Sequence, residues 1–170
     1  MRVYVPATLA MLQRLVADGS LWPVNGTAFA VTPALRESYA EGDDEELGEV
    51  ALREAALASL RLLATGDEGC GELPPRRAVV VAEVEEAEAV ALRPDIDDAV
   101  VRLGGPVALD DVVAVFVDNA AAEAAVTAAI AAIDAADLGD EDAELAVGDA
   151  QDHDLAWYAT QELPFLLDLL

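Results

Sequence analysis

Lysine is absent from the 170 residues, and all nine cations are arginines, the last of them Arg102. A nucleic-acid binder neutralises phosphates with lysine and arginine, so direct binding to DNA or RNA is excluded. The same absence excludes a phosphate loop of the Gly-Lys-Ser/Thr type, and no Gly-x-Gly-x-x-Gly run leads from a strand into a helix. No nucleotide cofactor is therefore expected. Cys70 stands alone, which permits neither an internal disulfide nor a thiolate metal cluster. In the polar run TGDEGCGELPP no cation adjoins it to depress its pKa, so it reads as a bystander rather than a nucleophile. No stretch reaches the ~20 apolar residues that span a bilayer, and MRVYVPATLAML lacks the charge, apolar run and cleavage site of a secretory leader. A cytoplasmic location is expected.

What the sequence has in abundance is negative charge. Acidic residues number 34 against 9 basic ones, giving a formal net charge of −25, yet 55% of the chain is hydrophobic. Disordered acidic chains are poor in apolar residues, so this chain is expected to fold, as one domain over 1–170.

Apolar spacing and helix caps organise the chain. Residues 3–5 are strand-like, and Thr8 precedes Leu9, Leu12 and Val16 at helical spacing, with Gly19 as the stop. The pattern recurs at 28–31, where Thr32 caps and Pro33 takes the favoured first helical position. The strongest helix is expected from about Asp43 to Leu63, with four acidic residues at its positive end. A mobile loop is expected near 65–77. Ala78–Val84, Ala99–Leu103 and Val112–Val117 read as buried strands, separated by an irregular acidic stretch at 83–98. Asp118 or Asn119 then caps an alanine-rich helix. An acidic loop of solvated turns is expected near 134–154, followed by a strand at 155–159 and a terminal helix capped by Thr160. The economical solution is an α/β domain, a mixed sheet flanked by helices and built from several strand-cap-helix units.

Four constellations of residues bear on chemistry. An EF-hand register from Asp140 matches at Asp142 and Glu144, but Leu145 stands where the turn glycine belongs and Gln151 where the bidentate Glu belongs, so no metal site is expected. His153 lies between Asp152 and Asp154, but no serine is placed as its nucleophile, and no catalytic residue is assigned. Trp22, Trp157 and Tyr158 read as core or half-buried packing residues. Arg36, in the first turn after Thr32, either meets an anion beside free helix N–H groups or pairs with a local carboxylate.

The segments RVYVP, AFAVTPALRESYAEGDDEEL, ASLRLLA, RRAVVVAEV, VRLGGPV and DHDLAWYATQELP together resemble a family of small acidic actinobacterial proteins, a domain of unknown function. The resemblance spans nearly the whole chain. It implies a single-domain cytoplasmic bacterial protein and carries no activity, ligand or catalytic residue with it.

Three functions are compatible with these features. The first is a non-enzymatic interaction or regulatory protein whose acidic surface meets a basic protein partner. The second is a small-molecule anion binder or enzyme at the carboxyl edge of a parallel sheet, where Thr8, Thr32, Arg36, Asp118 and Thr160 would gather as a ligand-binding set. The third is a nucleic-acid mimic that occupies the groove of a DNA-binding protein. All three face the same self-repulsion, which is strongest when unscreened. The melting temperature should therefore rise between about 0.01 M and about 1 M sodium chloride, as the screening length falls from about 30 Å to about 3 Å. A flat calorimetric profile across that range would contradict a repulsive surface.

Overall fold

A computed structural model describes residues 1–39, 41–65, 73–85, 90–93 and 96–169. Cys70 and most of the loop expected near 65–77 lie outside the described residues. The chain opens with β1 (Arg2–Ala7) and α1 (Leu9–Asp18), where Thr8 Oγ1 accepts from the Met11 N–H at 3.3 Å. Gly19 ends α1 at φ 77°, a left-handed position that favours glycine, and its N–H reaches the Leu15 carbonyl at 2.9 Å. Short β2 (Ser20–Leu21) and a 3-10 turn at Val24–Gly26 lead into β3 (Thr27–Phe29) and α2 (Pro33–Ser38). Next comes α3 (Asp44–Thr65), with the Asp43 carboxylate accepting from Glu46 N–H at 2.9 Å and three acidic residues in the first turn. That arrangement places negative charge on the positive end of the helix dipole.

The strands β4 (Ala78–Glu83), β5 (Val90–Leu92), β6 (Val100–Leu103), β7 (Val107–Ala108) and β8 (Val112–Val117) follow. Then α4 (Glu123–Asp137), α5 (Glu141–Gln151), β9 (Ala156–Tyr158) and α6 (Leu163–Asp168) complete the described order. Two segments differ from their sequence reading. The acidic stretch at 83–98 contains β5, held against β6 through Val90–Leu103 and Leu92–Val101. The acidic loop expected near 134–154 is instead the end of α4 and the whole of α5. Gly139 at φ 93° reverses the chain between them, and Asp140 caps α5 by accepting from Ala143 N–H at 2.9 Å. Carboxylates at 141, 142 and 144 then favour the helix through its dipole instead of opposing it.

Among the described residues the main sheet has seven strands in the order β5-β6-β3-β1-β4-β8-β9, with β2 and β7 forming a small second sheet. The α/β class and the helix-flanked sheet are as expected from the sequence. Every described pairing is antiparallel, however, so the parallel crossovers expected from the strand-cap-helix pattern do not form. The reason lies between the elements. After α1 the chain does not enter a neighbouring strand directly but passes along β2 and the 3-10 turn, so β3 runs opposite to β1.

Alternation along the strands divides the core between two faces. Val3, Val5, Val80 and Val115 pack with Leu9, Leu12 and Leu15 of α1 and with Leu163 of α6. Phe29, Val79 and Val100 point the other way and pack with Leu35, Leu47, Ala51 and Ala55, so α3 lies on that second face. The back of α3 is covered in turn by α4 and α5 through Leu60, Val126, Ala129, Ile133 and Ala150. Ser59 fixes α3 lengthwise: its hydroxyl donates to the Ala7 carbonyl at 2.7 Å and accepts from Ala78 N–H at 3.0 Å.

One ion pair joins most of these parts. Arg77, 1% exposed, and Asp118, 0% exposed, meet side by side at the end of the β4–β8 ladder. Arg77 Nε donates to Asp118 Oδ2 and Nη2 to Oδ1, both at 2.8 Å, and the Arg77 backbone N–H adds a third bond to Oδ2 at 2.8 Å. The remaining donors reach the Gln151 side chain at 2.9 Å and the His153 carbonyl at 2.8 Å. Removing one partner of such a pair strands a buried charge, so Asp118→Ala should cost about 3–5 kcal/mol in urea unfolding. Replacing both, as Arg77→Met with Asp118→Leu, should cost clearly less than the sum of the single losses; additive losses would show that the pair is not coupled.

Candidate functional site

The second face of the sheet is only partly covered. α3 lies over β1, β3 and part of β4, because its small side chains Ala51, Ala55 and Ala56 let the helix sit close to the strands. Beyond it, toward the β9 edge, lies an open groove of about 810 Å³. Its floor is apolar and comes from four strands through Tyr4, Val81, Ala114, Phe116 and Trp157, joined by Val113 where the β4–β8 register shifts. Trp157 is 58% exposed and Val113 is 42% exposed, unusual for large apolar side chains on a sheet face.

Charge surrounds this floor. Asp44, Glu45 and Glu49 line the α3 side and Glu83 the strand side, against the two guanidinium groups of Arg2 and Arg36. Both guanidinium groups are already engaged, Arg2 Nε with Glu83 Oε1 at 2.9 Å and Arg36 Nη2 with Asp44 Oδ1 at 2.5 Å, and the Met1 ammonium, also at the groove, lies 3.9 Å from Glu83 Oε2. The side chains of the rim thus carry a negative balance. A second cavity of about 600 Å³ adjoins the groove, sharing Glu49 and Leu52 with it and reaching Arg53, Ala56, Gln151 and His153.

Tyr4 sits where α3 crosses β1, and Gly48 makes the crossing possible. A Cβ at position 48 would lie 2.9 Å from Tyr4 Oη, closer than real carbon atoms approach an oxygen. Burial raises the pKa of the Tyr4 hydroxyl, with Arg2 opposing and Glu83 reinforcing that shift. The phenol therefore stays neutral and hydrogen-bond competent on the groove floor at ordinary pH. Burial also raises the pKa of Glu54 on the opposite side of α3, with Asp97 adding to it, while a hydrogen bond from Arg61 lowers that of Asp137.

The ligand-binding set expected at one carboxyl edge is not assembled. Antiparallel strands end at opposite rims, which puts Thr8 and Asp118 at one end of the sheet and Thr32 and Thr160 at the other. Thr8 and Thr32 do cap helices, the latter accepting from Leu35 N–H at 3.1 Å and donating to the Asp98 carbonyl. Asp118 caps no helix, because Arg77 takes its carboxylate, and Thr160 donates its hydroxyl to the Val112 carbonyl at 2.8 Å instead of capping. Arg36 alone of the five lines the groove, paired with a carboxylate.

The other sequence candidates resolve simply. Asp140, Asp142 and Glu144 belong to the start of α5, and among the described residues no group of three His, Cys, Asp or Glu side chains is placed to hold a metal. His153 gives its carbonyl to Arg77 and lines the second cavity. Trp22 and Trp157, expected to be core or half-buried, are 68% and 58% exposed, whereas Tyr158 packs against the core as expected. The groove floor had no distinct signature in the sequence: VVAVFV reads as a strand buried on both faces, whereas in the structure Val113 is exposed and Phe116 half-buried.

The Gly48 contact gives a direct check on this geometry. Tyr4→Phe leaves the ring carbon Cζ as the nearest atom, 3.9 Å from an added Cβ, an ordinary contact. Gly48→Ala should therefore gain stability of about 1 kcal/mol in the Tyr4→Phe background, from helix propensity, and little or none with Tyr4 present. Equal effects in both backgrounds, measured by thermal unfolding, would place α3 elsewhere.

Comparison with known proteins adds identity without mechanism. No curated protein and no solved structure matches the chain. A family model aligns with residues 1–167, so nearly all of the chain described above, groove included, is family sequence. The chain belongs to the family of unknown function DUF6912.

Proposed function

We propose that this chain is a non-enzymatic interaction protein that binds a basic segment of a partner protein in the groove beside α3. One observation carries the reading: exposed Trp157 and Val113 form part of an apolar floor whose rim holds four carboxylates against two arginines. Apolar anchors supply affinity by leaving water, and the acidic rim selects positive partners and speeds their encounter. The net charge of −25 extends that field over the whole molecule. A small-molecule anion is the weaker reading, since the cations of the rim are already paired and its proposed ligands lie at opposite ends of the sheet. Nucleic-acid mimicry is the special case in which the basic partner is a DNA-binding protein.

The test uses variants at exposed groove positions, which leave the core intact. Wild-type protein on a resin should retain a small set of basic proteins at about 0.05 M salt and release them near 0.5 M, as expected when opposite charges are screened. Glu49→Arg and Trp157→Ala should each reduce that retention about tenfold, equivalent to about 1.4 kcal/mol. Retention of the same proteins in the same amounts by all three would overturn the groove as the binding site.

A further inference from the structure

Resting on the groove reading, we infer that the occupant is an amphipathic α-helix of about three turns with a basic flank. The width of the vacant space is the first argument. Strands repeat every ~4.8 Å and packed helices lie 8–10 Å apart, so the next helix beside α3 belongs about two strands over. That position is above β8 and β9, where Val113 and Trp157 are exposed and Phe116 is half-buried on the groove floor. The length agrees. The residues of α3 along the groove and its adjoining cavity run from Asp44 to Ala56, and twelve steps of ~1.5 Å make about 18 Å, or roughly three helical turns.

The side of α3 that faces this space specifies the flank. Glu45 and Glu49 stand one turn apart on it, so two arginines or lysines at i and i+4 on the incoming helix would meet them in register. Apolar residues at i, i+3 and i+7 of the same helix would reach the floor. Two other occupants fit less well. An extended segment added to the sheet edge would find only Ala156–Tyr158, since a 3-10 turn begins at Thr160. A second copy of this chain would bring another −25 charges against an already acidic rim.

The experiment uses Trp22→Phe protein, in which Trp157 is the only tryptophan. The probe is a blocked alanine-based peptide of about 14 residues, with leucines at i, i+3 and i+7 and arginines at i+4 and i+8. Its control has the same composition apart from two central prolines, which forbid a continuous helix. At about 0.05 M salt the helical peptide should shift Trp157 emission to the blue and gain far-ultraviolet helicity, while the proline control binds at least tenfold more weakly. Val113→Arg, and independently Glu49→Gln, should weaken the helical peptide by a similar factor, so that misfolding of one variant does not decide the matter. Equal binding of both peptides, abolished by the groove variants, would overturn the helix while leaving the groove. Binding that ignores both variants would overturn groove and helix together. No response to either peptide, with partner capture still lost in Glu49→Arg, would overturn the helix alone.

Discussion

The buried Arg77–Asp118 pair is the interaction on which the rest of this structure turns. Taking a guanidinium and a carboxylate out of water costs several kcal/mol per ion, and only near-complete hydrogen bonding offsets it. The chain meets that demand from four directions: the start of β4, the end of β8, the last residue of α5 and the turn before β9. The bond to the His153 carbonyl also tethers the chain just before β9, the strand that pairs with β8 and carries Trp157 to the groove.

Electrostatic scarcity shapes the remainder. With nine arginines for 34 acidic residues, most carboxylates cannot be paired, and the molecule disposes of them in two ways. Some arginines pin neighbouring elements together, as Arg61 does to Asp137 between α3 and α4 and Arg76 does to Glu123 at the start of α4. Other acids go to helix starts, where backbone N–H groups take the place of missing cations, at Asp43–Glu46 and again at Asp140–Glu144. Under the proposed function, the same self-repelling negative surface would favour positive ligands at the groove.

The elements were more legible in the sequence than their arrangement. Caps and apolar spacing mark α1 and α2 because Thr8 and Thr32 act on their own backbone within three residues, and α3 shows through its apolar face and the four acidic residues at its start. The strand runs at 78, 100 and 112 were likewise local signals. α5 does not stand out in the sequence, because Gly148 and seven acidic residues in 140–154 outweigh the apolar positions 143, 147 and 150, whose spacing is helical. Strand direction is hidden for a different reason: the chain turns back by way of β2, two residues that pair with Val107 and Ala108 and carry no periodicity. The site suffered from the same limit. A groove is defined by what does not cover it, and absence of a neighbour is not written in any one residue.

The Arg77 clamp also bears on how the chain reaches its fold. Its side-chain partners Gln151 and His153 lie 74 and 76 residues further along, and β1 at the centre of the sheet finds β4 across a comparable span. Closing loops of that size costs entropy before any contact repays it, which slows folding relative to local helical designs. A chain still emerging from synthesis would hold Arg77 against Asp118 with two of its acceptors not yet made. The segment from α5 to β9, made long after β4 and β8, is then the one that lets this buried charge settle.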